Sequence, residues 1–175
     1  QHGEGDWSIA VIRWISQVKN APTLLGLELL SPRGTAYAAQ VRLPDGDYSR
    51  PIRVILLPEI ALVGQPHTLL APRLVFKENQ KIILARKDET FLVKLKRQIA
   101  STAAFGQFDF EYRRQLDEEE LEEVSAWLGV GRGAPPDDKL LLLHDRLQAE
   151  HLVVTRAERG AALATKGGVV SAPGV

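Results

Sequence analysis

Gly106-Gln-Phe-Asp-Phe-Glu-Tyr112 alternates polar and aromatic side chains. A period of two puts Phe108, Phe110 and Tyr112 on one face and Gln107, Asp109 and Glu111 on the other, as a half-buried strand requires. The stretches upstream repeat the message. Phe91-Leu-Val-Lys-Leu-Lys96, Lys81-Ile-Ile-Leu-Ala-Arg86, Thr68–Leu70 extending toward Phe76, and Ile52-Arg-Val-Ile-Leu-Leu57 are short apolar runs bounded by turn residues. Ala36 to Leu43 reads as a further strand closed by the turn Pro44-Asp-Gly46. Nearer the N-terminus, Ser8-Ile-Ala-Val-Ile-Arg-Trp-Ile15 and Thr23-Leu-Leu-Gly-Leu-Glu-Leu-Leu30 form a hairpin about Lys19-Asn-Ala-Pro22. Many short strands at regular spacing predict a mainly β fold, a barrel or a sandwich.

Downstream the period changes. Asp117 can cap a helix whose first turn holds Glu118, Glu119 and Glu120, where carboxylates favour the helix dipole. Leu121, Val124 and Leu128 supply its apolar stripe, and Gly129 to Gly133 ends it. Pro135-Pro136 with Asp137 and Asp138 opens a second helix carrying Leu140 to Leu143 and Leu147. Leu152-Val-Val-Thr155 is then a strand, followed by a turn and another strand. Charge divides at the same place: residues 1–112 hold 14 Lys/Arg against 11 Asp/Glu, and residues 113–175 hold 8 against 11. The expected organisation is a β-rich domain over 1–112 and a small α/β segment over 113–175.

Composition narrows the function. The chain has 175 residues, 45% of them hydrophobic and 25% charged, with a formal net charge of zero. That describes a folded protein and argues against a nucleic-acid or membrane partner. No apolar run approaches the roughly 20 residues of a bilayer span. Cys is absent, which removes disulfides and thiolate metal sites and points to a reducing cytoplasm. Met is absent too, even at position 1, so the natural protein is expected to extend beyond at least one end. The polar start Gln1-His-Gly-Glu-Gly-Asp6 is not a signal peptide. The histidines His2, His67, His144 and His151 lack metal-ligand spacing, and no nucleophile elbow occurs.

Trp7-Ser-Ile-Ala-Val-Ile-Arg-Trp-Ile15 with Leu25-Gly-Leu-Glu-Leu-Leu30 resembles the later strands of a PilZ domain, over residues 7–43. The resemblance implies a small β-barrel and cyclic di-GMP as ligand. Members of that family bind the dinucleotide through an Arg-x-x-x-Arg loop and an Asp/Asn-x-Ser-x-x-Gly motif, and neither motif occurs in these 175 residues. Residues 50–112 look like a second β-domain found after such segments in some bacterial proteins. Alternation predicts that Arg13 and Trp14 face opposite sides, one in the core and one in water. Packing accounts for both, and the functional alternative makes Arg13 a candidate ligand contact, stacked on a guanine base.

Leu116-Asp-Glu-Glu-Glu-Leu-Glu-Glu-Val124, the leucine-rich helix after it, His151-Leu-Val-Val-Thr-Arg-Ala-Glu-Arg-Gly160 and Gly167-Gly-Val-Val-Ser-Ala-Pro-Gly-Val175 resemble the PfkB, or ribokinase-type, carbohydrate kinases. That resemblance implies Asp117 and Glu120 as relics of a Mg- and phosphate-organising Asn-x-x-Glu motif. It implies Thr155 and Gly160 as relics of a nucleotide-binding turn, with Ala157 standing where the family has Gly. The Gly-Ala-Gly-Asp loop that would activate the substrate would lie after Val175, so ATP and Mg are expected only of a complete kinase.

Three readings follow. The first is a non-catalytic bacterial PilZ-like binding or adaptor module of cyclic di-GMP signalling, with the dinucleotide or a protein as partner and no cofactor of its own. The second is a fragment of a carbohydrate kinase without its catalytic loop. The third is a chain joining two unrelated genes.

Overall fold

A computed structural model describes residues 7–174. Seven strands come first: β1 (Trp7–Ser16), β2 (Leu24–Val41), β3 (Ile52–Leu57), β4 (Thr68–Pro72), β5 (Lys81–Arg86), β6 (Glu89–Ser101) and β7 (Phe105–Tyr112). They hydrogen-bond in the order β1-β2-β3-β4-β7-β6-β5, and β5 pairs again with β2. Next come β8 (Gln115–Asp117), α1 (Glu118–Leu128), α2 (Pro136–Leu147), β9 (Leu152–Thr155), β10 (Ala161–Thr165) and β11 (Gly168–Ala172). The fold is mainly β, as the alternation predicts. Among the described residues no helix is long and apolar enough to cross a membrane.

The third strand expected over 36–43 is not separate. β2 runs unbroken from Leu24 to Val41, and the intervening Ser31-Pro-Arg-Gly34 stays extended. The hairpin and both loops form where turn chemistry places them. Asn20 takes a positive φ at the hairpin turn, and the Gly46 amide donates to the Leu43 carbonyl at 3.0 Å.

The chain divides into two compact units, each built from several segments. The first comprises the chain through Tyr37, Arg53–Glu78 and Arg97–Phe110. There β3 pairs with β4 and β4 with β7, both antiparallel, and Val54, Leu57, Leu69, Ala71, Phe76 and Phe108 are buried. Gln107 donates to the Thr68 hydroxyl at 2.9 Å, so the buried polar pair on this ladder is satisfied.

The second unit comprises Ala38–Ile52, Asn79–Lys96 and Glu111–Val175. In it β8, β9, β10 and β11 form a sheet in the order β11-β10-β9-β8, with β8 and β9 parallel and the other pairs antiparallel. The parallel pair needs a crossover, which α1 and α2 supply. Leu121, Val124, Leu140, Leu143 and Leu147 of the helices close one core with Leu116, Leu152, Val154, Ala162 and Ala164 of the sheet. Ile83 and Leu92, register partners on β5 and β6, join that same cluster. Ile82, Ile83 and Leu84 are therefore all buried, and the apolar run in β5 is continuous because both its faces are covered.

Candidate functional site

The β1–β2 hairpin carries the first candidate. Register runs Ile12↔Leu27 and then Trp14↔Gly26, so Arg13 is an extra residue in β1. That shift breaks the predicted alternation, and neither Arg13 nor Trp14 is in a core. Trp14 is 53% exposed, and its indole lies over Gly26, where a Cβ would come within 2.1 Å of Nε1. The Arg13 guanidinium pairs with the Glu28 carboxylate in the open. Its hydrogen bond holds Glu28 below the usual carboxylate value. Such a pair is worth little in water, so the guanidinium is available to a planar or anionic ligand at small cost.

The second candidate surrounds the start of α1. Asp117 is the N-cap: its carboxylate accepts from the Glu120 amide at 2.7 Å, and Glu120 accepts from the Asp117 amide at 3.0 Å. This reciprocal capping box is also what Asp-x-x-Glu before an apolar run signals in sequence. Glu120 further receives Lys81 at 2.6 Å and Arg113 at 3.1 Å on both oxygens. Four contacts fill its lone-pair positions, so the carboxylate as placed has none left for a metal. Burial raises the Glu120 pKa, but the Lys81 hydrogen bond, the Asp117 amide and the charges of Lys81 and Arg113 outweigh it and hold the group below its usual value.

One turn along, Glu123 pairs with Arg42 at 3.2 Å, and Trp127 stacks on Tyr48 with ring centroids 4.8 Å apart. Residues 120, 123 and 127 share one helix face, which explains the line of contacts. Burial pushes the Tyr48 phenol up; Arg42 opposes this and Glu123 adds to it. Arg113 Nε and Trp127 Nε1 are buried with no hydrogen-bond partner. Arg42, Tyr48, Lys81, Arg113, Glu123 and Trp127 are not singled out by sequence, because their partners lie far away in the chain and share no motif.

Asp117, Glu120, Thr155 and Gly160, read in sequence as kinase relics, do lie together. Asp117 and Thr155 are register partners of β8 and β9, and the Thr155 hydroxyl donates to the Leu116 carbonyl at 3.3 Å. After β9 the chain turns with Ala157 at φ 48, and the Arg156 amide donates to the Gly160 carbonyl at 2.7 Å. Gly160 has φ 91, and a Cβ there would sit 2.0 Å from the Ala172 carbonyl oxygen. The glycine is thus required by the chain that closes over the turn. Arg159 reaches Glu118 at 2.6 Å, and Arg156 pairs with Asp137. Every group that could meet a phosphate here is engaged within the fold.

His67 shares a proton with the Phe110 carbonyl at 3.0 Å, and the His144 ring is buried beside Asp145 at 3.0 Å. His2 lies outside the described residues. A cleft of about 560 Å³ opens beside Gly129–Gly133, with Arg132 exposed on it and Lys139 held by Glu122 at 2.6 Å. A more apolar recess of about 470 Å³ lies in the first unit, lined by Ile9, Leu30, Ile55, Pro72 and Phe105 with Arg53 as its one cation.

Comparison with known proteins separates the two ends of the chain. Residues 1–36 match the family described as the middle PilZ domain of the cyclic-di-GMP receptor FimW, and residues 37–113 match the FimW C-terminal beta-barrel domain. The cyclic-di-GMP receptor FimW of Pseudomonas aeruginosa is 38% identical over 104 residues, which are 59% of this chain and 17% of that protein. The chain therefore aligns with only a small part of the curated relative. No solved structure matches. The N-terminal resemblance to PilZ domains is upheld, and the matches divide the region near residue 36, where sequence suggested one domain through residue 112. The carbohydrate-kinase resemblance of residues 113–175 finds no support in these comparisons.

Proposed function

We infer that the β-rich part of this chain is a non-catalytic PilZ-related module of a cyclic di-GMP receptor. The observation that carries the reading is the order of the matches: a PilZ domain and then a β-barrel domain of one receptor family, contiguous over residues 1–113. A boundary after residue 112 is supported by the end of the second match, and residues 113–175 are an attached α/β element. The capping box, the closed turn at Gly160 and the filled carboxylate of Glu120 support a structural role for that element. A carbohydrate-kinase fragment is the weaker reading, since the groups it would use are taken up in the fold. A cytoplasmic location suits a receptor of an intracellular dinucleotide.

Arg13 is the side chain in the PilZ-matched segment with the right chemistry for such a ligand. Its guanidinium can stack on guanine and pair with phosphate, and only an exposed bond to Glu28 restrains it. Calorimetric titration with cyclic di-GMP tests this on the wild type and on Arg13→Ala. Saturable binding that weakens by about tenfold or more in the variant supports the assignment. Binding that ignores the substitution removes Arg13 from the site. No heat at high-micromolar ligand removes direct sensing and leaves a module that works through a protein partner.

A further inference from the structure

The hairpin carries a one-sided aliphatic strip that ligand binding through Arg13 does not use. Register pairs Ala10 with Leu29, Ile12 with Leu27 and Ile15 with Leu25, and residues directly opposite share a face. The bulge at Arg13 keeps all three pairs on the same side. Ile12, Ile15, Leu25, Leu27 and Leu29 are each between 50% and 64% exposed, and no charged side chain interrupts them. The Arg13–Glu28 pair and the Trp14 indole over Gly26 belong to the opposite face. The edge is open as well. Among the described residues β1 has β2 as its one neighbour, and it carries neither Lys nor Pro to blunt the unpaired side. A two-stranded ribbon with such a face is marginal in water.

The geometry points to one occupant: β-strands of the same polypeptide, N-terminal to Trp7, that pair with the β1 edge and lay a second apolar layer over the strip. This rests on the PilZ reading of residues 1–36, which match a domain described as a middle one, and the aligned residues are only 17% of the Pseudomonas aeruginosa relative. A second copy fits less well. Symmetric pairing of two β1 edges would satisfy the backbone but put both strips on the same side of a wider sheet, still open. A tethered segment also meets the strip at a high effective concentration.

The chain has no cysteine, so Leu27→Cys or Leu29→Cys introduces a single thiol on the strip and Leu24→Cys one on the opposite face. Thiol labelling is compared between the 175-residue chain and the same chain extended by the segment that precedes the matched region in the Pseudomonas aeruginosa receptor. The strip thiols should label rapidly in the shorter chain at every protein concentration. In the extended chain they should label at least about tenfold more slowly, with the Leu24→Cys thiol unchanged. Hydrogen exchange of the β1 amides, read without any thiol, should show the same protection. Equal rates and equal exchange in the two chains overturn the inference. Slow labelling of the shorter chain that strengthens with concentration, alongside a dimer in sedimentation, assigns the strip to a second copy and overturns it too. Titrating the extended chain with cyclic di-GMP separates the two ideas: protection without binding keeps the interface and removes the signalling role, and binding without protection does the reverse.

Discussion

The β1–β2 hairpin and the α1–α2 layer use the same kind of side chain to opposite effect. In the hairpin Ile12, Ile15, Leu25, Leu27 and Leu29 line one face and stay at least half exposed. In the second unit Leu121, Leu140, Leu143, Leu152 and Val154 are 2% exposed or less. Both stretches have the amphipathic period of their secondary structure. What differs is the second layer. The crossover from β8 to β9 brings two helices onto a sheet, and the described hairpin has none. A hydrophobic pattern therefore reports which side chains can form a core, and an opposing surface determines whether they do.

The largest test of that contrast is a pair of truncations. Leu143→Ala should lower unfolding free energy by about 2–5 kcal/mol, because it empties a site with no exposure. Leu27→Ala should stay within about 0.5 kcal/mol in the same denaturant titration. A large loss at Leu27 would mean that the strip is covered in solution and would break the comparison.

A smaller effect is expected where the α/β element closes on itself. Gly160→Ala places a Cβ against the Ala172 carbonyl and forces a non-glycine residue to a positive φ, at a cost of about 1–3 kcal/mol. Thermal melts would read it, and an unchanged midpoint would show that β11 does not seal the turn. The smallest effect concerns pH. Glu120 is held below its ordinary 4.5 in the fold, so it adds stability above that value, and this is lost as pH falls through the folded value. Glu120→Gln should be less stable at neutral pH and should lose less stability on acidification. Parallel pH profiles for the two proteins would exclude the Lys81–Arg113 cluster as the cause.

Much of the fold was legible in advance, and particular residues show why. Gly106–Tyr112 reads as a strand because polar and aromatic positions alternate, and Asp117 with Glu118–Glu120 reads as a helix start because capping is a local matter. Arg13 and Trp14 defied alternation because one extra residue in the strand, invisible without its partner, shifts the register. β8 was missed because three residues show no period. Of the candidate groups, Arg13, Asp117, Glu120, Thr155 and Gly160 could be named from motifs. The bonds to Lys81 and Arg113 that occupy Glu120 could not.

The sequence by itself determined the class of each segment, strand-rich through Tyr112 and helix–strand after it, along with the turns and the helix caps. Those properties depend on neighbours within a few residues, where backbone sterics and side-chain period act directly. Tertiary structure alone decided that β5 is covered on both faces, that Glu120 is filled by Lys81 and Arg113, and that the hairpin strip lies open. Each of these depends on which distant surface meets which, and burial and charge pairing are properties of that meeting.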